Sequence, residues 1–345
     1  MARHTVEFAN AIIRTDDKEL IDLFSPTIWP ALTDNTLRRT HGDSAFFINE
    51  CKGLTIQHNN KEYQAITARF IKTTKLKRAQ YYNESEGLIA DPQILDSAPS
   101  AVFLLILNNH KLIYLHETAH APPLSQLEKT LSWLIKTTTQ KIIHREYTAR
   151  RPKKDKISLR KLQAENPQPD VHIIPIPHEG SISEFVELFE KIKSVEVRLI
   201  RPNSEIDINP FFGMARQEQE RIKSKQTTIT QKSPDGLSAS GTKNYLAAAS
   251  KQANARVSVT GTNEAGKKIS GDNEKFSIKT YISTIPTGLV SIAKKLFMEF
   301  ENLTNGHPIE KPPHATAIDT QAQRIAQTNN WQTVRIEEDD SASSD

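Results

Sequence analysis

The sequence predicts an α+β fold: mixed or antiparallel sheets with packed helices, in two lobes joined by a basic connection. Three observations carry that expectation. Strand-like runs come in pairs, with Asn59-Asn60 and Asn108-Asn109 between the members of the first two. Helical apolar spacing follows the hairpins in blocks, whereas single strands alternating with helices would mark a doubly wound parallel sheet. A charged, proline-bearing stretch, Lys141 to Pro169, divides the chain near its middle.

The elements follow in order. Ser44 to Lys75 reads as a β-hairpin, with Phe46, Phe47, Ile48, Leu54 and Ile56 before the turn and Tyr63, Ile66, Phe70 and Ile71 after it. Ala101–Leu107 and Lys111–Leu115 form a second hairpin. Ser125 with Glu128 is spaced as a capping box, and Leu127, Leu131, Leu134 and Ile135 then fall on one helix face. These define an N-terminal domain over 1–150, followed by a basic linker over 151–170. A C-terminal α+β domain over 171–305 opens with the strand Val171–Ile176. A second capping box, Ser181 and Glu184, leads to Phe185, Val186, Phe189 and Ile192 on one helix face. Val195–Ile200 predicts a strand, and Pro210–Lys225 and Asp235–Lys251 predict helices. Arg256–Thr262 and Lys275–Ile285 predict strands joined through a turn region holding Gly266 and Gly271. Pro286 opens a last helix with Leu289, Ile292, Leu296, Phe300 and Leu303 inward. Residues 306–345 read as a tail with a weak helical pattern at Ile318, Ala322 and Ile325. Its acidic, serine-rich end from Glu337 to Asp345 is expected to be disordered.

The totals exclude several classes. Of 345 residues, 37% are hydrophobic and 25% charged, a globular balance, and a formal net charge of +4 excludes a histone-like polycation. The single cysteine, Cys51, excludes an internal disulfide framework and thiolate-rich metal sites, and points to a reducing compartment. No run approaches the roughly 20 apolar residues of a membrane helix, and no signal-type apolar segment stands near the N-terminus, so a cytoplasmic location is expected. The 12 glycines form neither a phosphate loop nor a dinucleotide fingerprint, and no cofactor is expected.

Two motifs could carry catalysis. His116-Glu117-Thr118-Ala119-His120 has the spacing that places two zinc-binding imidazoles on one helix face, with the glutamate polarising metal-bound water. Its context opposes this: Leu112–Leu115 before it reads as a strand, and Pro122-Pro123 after it disfavours helix. A zinc-dependent hydrolase on His116, Glu117 and His120 is therefore the alternative reading, and a solvated loop the favoured one. Asp43 with Glu50-Cys51-Lys52 has the residue types of a metal-dependent nuclease. Its Asp-to-Glu separation is short for adjacent strands, and an outward-facing strand residue is the simpler role for Glu50.

Basic runs supply a different signal. Arg145, Arg150, Arg151, Lys153, Lys154, Lys156, Arg160 and Lys161, with Lys141 before them, stand among few acids. Lys72, Lys75, Lys77 and Arg78 close the first hairpin, and Lys267 and Lys268 sit at the tip of the late one. Cations of this kind contact phosphates without regard to base identity. The expectation is a non-enzymatic protein whose three runs converge into one trough for the DNA duplex backbone. Sparse aromatics, with only Tyr147 inside the main run, argue against a single-strand stacking platform. A protein-binding module meeting an acidic partner through the same basic face is the remaining class.

The order of elements resembles the RexA-like family of phage-exclusion DNA-binding proteins. The likeness lies in the hairpin Phe46–Phe70 with its Asn59-Asn60-Lys61 turn, and in Ala101-Val102-Phe103-Leu104-Leu105 with Leu112-Ile113-Tyr114 and Pro122 to Leu127. It extends to Ala255-Arg256-Val257-Ser258 with Asn263-Glu264-Ala265-Gly266, and covers about residues 40 to 305. This chain is longer and adds the acidic tail. The resemblance implies a homodimer that holds duplex DNA without sequence preference, two lobes that move relative to one another, and a role in antiviral defence beside a membrane-protein effector.

Overall fold

Every residue of Ser100–Ile106 and of Lys111–Leu115 is buried, which requires both faces of their sheet to be covered. The structure, a computed structural model, describes residues 3–150, 158–203, 209–305 and 316–336, with all their side chains except those of 76–78, 91, 93 and 316. In chain order, β1 (His4–Arg14) leads through short helices α1 (Leu20–Leu23) and α2 (Trp29–Thr33), joined by a π-turn, to β2 (Arg39–His41) and β3 (Ser44–His58). Next come β4 (Lys61–Asn83), β5 (Gly87–Ser97), β6 (Ser100–Ile106) and β7 (Lys111–Leu115), then α3 (Leu124–Arg150) and α4 (Leu159–Glu165). The chain continues with β8 (Asp170–Pro175), α5 (Glu179–Glu187), β9 (Lys191–Leu199), α6 (Pro210–Arg221), β10 (Thr227–Leu237) and α7 (Ala239–Ser250). It closes with β11 (Ala255–Thr262), β12 (Lys268–Asp272), α8 (Asn273–Phe276), β13 (Lys279–Ile282), α9 (Leu289–Asn305), α10 (Thr316–Thr328) and β14 (Gln332–Arg335).

The fold is α+β with largely antiparallel sheets, as expected. The larger sheet runs β13-β1-β7-β6-β4-β3-β14, with β2 on β3, β5 on β4 and β8 on β1. Only β14 is parallel to its neighbour, β3. Alternate residues of β1 feed two cores: Ala9, Ala11 and Ile13 pack with α1, α2, α3 and α10, while Val6, Phe8 and Ile12 pack with α9. Both Asn-Asn turns form. Asn59 and Asn60 have φ of 49° and 58°, the left-handed pair that a two-residue hairpin turn requires. The Asn108 side chain accepts the Gln64 amide at 2.7 Å and donates to Asp319 of α10 at 2.7 Å.

The smaller sheet runs β10-β9-β11-β12. One face packs Val195, Val197, Leu199, Val257 and Val259 against Ile182 and Val186 of α5, Phe212 of α6, Leu246 of α7 and Phe276 of α8. Burial alternates along β11, so the other face is polar. Gly271 of β12 is held to glycine because a Cβ there would sit 2.4 Å from the Phe185 ring.

Several expectations need correction. The boundaries 1–150 and 171–305 do not follow the sheets: β8 and β13 pair with β1, β14 pairs with β3, and α9 covers a face of the larger sheet. Chain crossings between the sheets fall at residues 176–190 and 273–278, not in the 151–170 segment. Much of that segment's flank is helical, since α3 runs unbroken to Arg150 and α4 starts at Leu159.

Neither capping box caps a helix. α3 starts at Leu124 directly after Pro123, and Glu128 turns to the Ile173 amide at 3.1 Å and to Arg256 at 2.6 Å. α5 starts at Glu179 with His178 as its N-cap, so Ser181 lies inside the first turn and Glu184 in the body of the helix. Ile192, expected on the same helix face, lies in β9. The region 235–251 is split, with β10 ending at Leu237 and α7 starting at Ala239. The partner of β11 is β12, so Gly266 (φ 69°) is in the turn, Gly271 is in a strand, and Lys275–Ile285 divides between α8 and β13. The last helix forms, but starts at Leu289 and not at Pro286; Leu289, Ile292, Leu296 and Phe300 are buried and Leu303 is half-buried. Ile318, Ala322 and Ile325 lie on α10, and Glu337–Asp345 lies outside the described residues.

Candidate nucleic-acid interface

α3 is the longest helix among the described residues, and its two sides differ sharply. Leu124, Leu127, Leu131, Leu134, Ile135 and Ile143 face the core, the spacing of an apolar stripe on a 3.6-residue period. The opposite side exposes Lys129, Lys136, Gln140 and His144; Lys141 and Arg145 are exposed as well, but stand about a third of a turn and nearly half a turn round the helix from Lys129, at 3.6 residues per turn. From Lys129 to His144 this side extends about 23 Å, at 1.5 Å per residue.

The helix has two carboxylates, Glu128 and Glu146, and each is already engaged. Glu128 pairs with Arg256 at 2.6 Å, and Glu146 pairs with Arg150 one turn along. Of the cations, Lys141 meets Asp34 at 2.9 Å. There the Thr36 hydroxyl, and then Lys141, hold the Asp34 carboxyl down at about 2. Arg39 donates to Thr130 at 3.0 Å and to Gln126, tying β2 to the inner part of the helix. Lys129, Lys136 and Arg145 remain turned outward.

The expected site residues divide accordingly. Arg145 and Arg150 are on α3, and Arg160 and Lys161 are exposed on α4, which packs against α3; Lys161 lies 3.9 Å from Glu165. Arg151, Lys153, Lys154 and Lys156 lie outside the described residues. Lys72 is half-buried and Lys75 exposed on β4, while the side chains of Lys77 and Arg78 are outside the description. Lys267 and Lys268 are at the β11–β12 turn. That turn is six residues along β11 from Arg256, about 20 Å at 3.3 Å per residue. Arg256 is the β11 residue that reaches α3, at Glu128, so the Lys267–Lys268 tip stands at the far end of the strand from that contact. Runs of adjacent charge do not include Lys129 and Lys136; their separation of seven residues, two helical turns, is the signal that finds them.

Neither catalytic motif is built as its chemistry needs. His116 and Glu117 follow β7 in a loop. The Glu117 carboxylate is gripped by Arg69 through Nε at 2.9 Å and Nη2 at 2.9 Å, and accepts the Ser100 hydroxyl at 2.6 Å. His116 Nε2 lies 3.1 Å from Glu7, and His120 is exposed with φ of 62°. Glu50 sits at a break in the β3–β4 register with φ of 53°, and pairs with the same Arg69. Cys51 packs against the core, where burial pushes its thiol up to about 12. Among the described residues no group of three or more His, Cys, Asp or Glu is placed to hold a metal ion. No helix among them is long and apolar enough to cross a membrane.

Residues 156–296 match the model of a family described as a domain of unknown function, DUF4747. The matched stretch runs from just before α4 into α9 and contains the whole smaller sheet, but not α3. No curated protein matches the chain.

Proposed function

We propose that the protein binds duplex nucleic acid, without reading its sequence, by laying the outer side of α3 along the phosphate backbone. The observation that carries this reading is the exposed pair Lys129 and Lys136, two turns apart on one side of a helix whose carboxylates are both engaged by arginines, with the exposed Arg145 further round the same helix. Cations held this way displace condensed counterions wherever phosphates come within reach. Arg150 follows on the same helix, and the run Arg151 to Lys161 adjoins it in sequence. In this reading the protein is a non-enzymatic, cytoplasmic binder, and the RexA-like resemblance supplies phage exclusion beside a membrane-protein effector as its setting. The engagement of Glu117 by Arg69 disfavours the zinc-hydrolase alternative.

The test is fluorescence anisotropy on several unrelated duplexes over a salt series. Binding of similar strength to each is expected, with log affinity falling linearly against log salt at about 0.9 per phosphate contacted. The triple variant Lys129→Glu, Lys136→Glu, Arg145→Glu should weaken binding to all duplexes alike and flatten that slope. Unchanged binding by a folded triple variant would remove α3 from the site. A second variant, with Arg150, Arg151, Lys153 and Lys154 changed to glutamate, reports on the adjoining run.

A further inference from the structure

α9 carries two stripes, and one of them does not meet the sheet. Leu289, Ile292, Leu296 and Phe300 are buried against the larger sheet. Beside them, Ser291, Lys294, Lys295, Met298 and Glu299 repeat the i, i+3, i+4, i+7, i+8 spacing of a single helix side, and they line a cavity of about 530 Å³. This stripe runs about 12 Å from Ser291 to Glu299, at 1.5 Å per residue. The facing wall is the end of β13 and the loop after it, with Ser283, Thr284 and Pro286. A space of this size is within the range of small-molecule sites. It lies on the α9 side of the larger sheet, whereas α3 packs on the other side.

Charge in the cavity is unbalanced. Lysines usually hold their ammonium groups in water, yet Lys294 and Lys295 are both half-buried. Lys295 has the Glu299 carboxylate at 3.6 Å. Among the described residues no carboxylate pairs with Lys294. The first turn of α9 holds no acid, so the positive end of the helix dipole adds to the same field. An ammonium with the hydroxyls of Ser283, Thr284 and Ser291 around the same space suits a phosphate. A bare phosphate would leave most of the volume empty. Pro286 and Met298 supply apolar surface for a flat ring, which a thioether suits well, and Glu299 offers an acceptor to an amino group.

We propose that this cavity binds a free nucleoside phosphate. The phosphate meets Lys294 and Ser291, and the base lies against Pro286 and Met298, where Glu299, anchored by Lys295, accepts from its amino group. The site is on the opposite side of the larger sheet from α3, so this inference does not rest on the nucleic-acid reading.

Isothermal titration of the full chain with adenosine monophosphate tests it, beside uridine monophosphate, adenosine and inorganic phosphate. Adenosine monophosphate should bind most tightly, since each of the others lacks the amino group, the phosphate or the base. Lys294→Gln should weaken its binding by about tenfold to a hundredfold, the loss expected for one charge-assisted hydrogen bond, and leave adenosine unaffected. Ser291→Asp should weaken it too, by setting a carboxylate where the phosphate sits. An acid suits the first turn of a helix, so that variant keeps its fold. The variant with Lys129, Lys136 and Arg145 changed to glutamate should bind the nucleotide as wild type does. A wild type that binds no adenosine monophosphate, or that binds inorganic phosphate or uridine monophosphate as tightly, would overturn the proposal. So would unchanged nucleotide binding in folded Lys294→Gln and Ser291→Asp variants, or loss of it in the α3 variant. A 5′-phosphorylated duplex that displaced the nucleotide would assign the cavity to nucleic-acid ends and overturn it as well.

Discussion

The two sheets solve burial differently. The larger is covered on both faces, and its central strands β6 and β7 are buried at every residue. The smaller is covered on one face, and β11 alternates buried with half-buried residues along its whole length. Continuous apolar runs therefore mark the layer on which the molecule is built, and alternation marks the layer left with a polar face. One polar link between the layers is made by Arg256, which from the polar face of the smaller sheet reaches Glu128 on α3, and Glu128 also accepts the amide of Ile173 in β8.

The largest effects should fall in the doubly covered sheet. Phe297 of α9 is fully buried, with its ring centroid 5.0 Å from that of Tyr63 and 5.7 Å from that of His58. Phe297→Ala should cost about 3–5 kcal/mol in denaturant unfolding, through lost transfer energy and the cavity left behind. On the smaller sheet, Val257→Ala removes less volume from a core covered on one side, and about 2 kcal/mol is expected. Equal losses at the two sites would break the contrast.

The junction comes next. Glu128→Ala deprives both the Ile173 amide and Arg256 of a partner, and about 1–2 kcal/mol is expected. Because Arg256→Ala removes part of the same network, the double variant should lose less than the two single variants together. Strict additivity in unfolding measurements would mean that the sheets are not coupled through this pair.

Legibility in the sequence follows the range of the interactions. The hairpins β3–β4 and β6–β7 can be read because partners are adjacent and the Asn-Asn turns are local, and α9 because its apolar stripe is continuous. The pairings His4↔Ile282 and Leu54↔Gln332 join residues far apart in the chain and leave no local trace. That is why β8, β13 and β14 could not be assigned to the larger sheet. The capping pattern at Ser125 and Glu128 misleads for a related reason: a carboxylate spaced for local use is drawn to Ile173 and Arg256 instead. For the candidate site, Arg145 and Arg150 are visible as a run, whereas Lys129 and Lys136 require knowing that α3 is one helix.

The smallest effect expected is a pH dependence at the same junction. His172 of β8 is half-buried, and burial lowers its pKa below the ordinary 6.5. Four charges act on it: Glu128 and Asp170 raise the pKa, while Arg256 and Arg198 lower it. A histidine with a depressed folded-state pKa takes up a proton more readily when the chain is unfolded. Its stability contribution is therefore complete above about pH 6.5 and declines as the pH falls from there toward the folded-state value. His172→Gln should flatten that part of the stability curve relative to wild type. Arg256→Gln should shrink the acid loss too, by leaving Glu128 to favour the imidazolium. Chemical denaturation from about pH 7.5 down to about pH 5, a span that brackets the ordinary histidine value of about 6.5, measures both. An unaltered slope in His172→Gln would detach this residue from the coupling between the sheets.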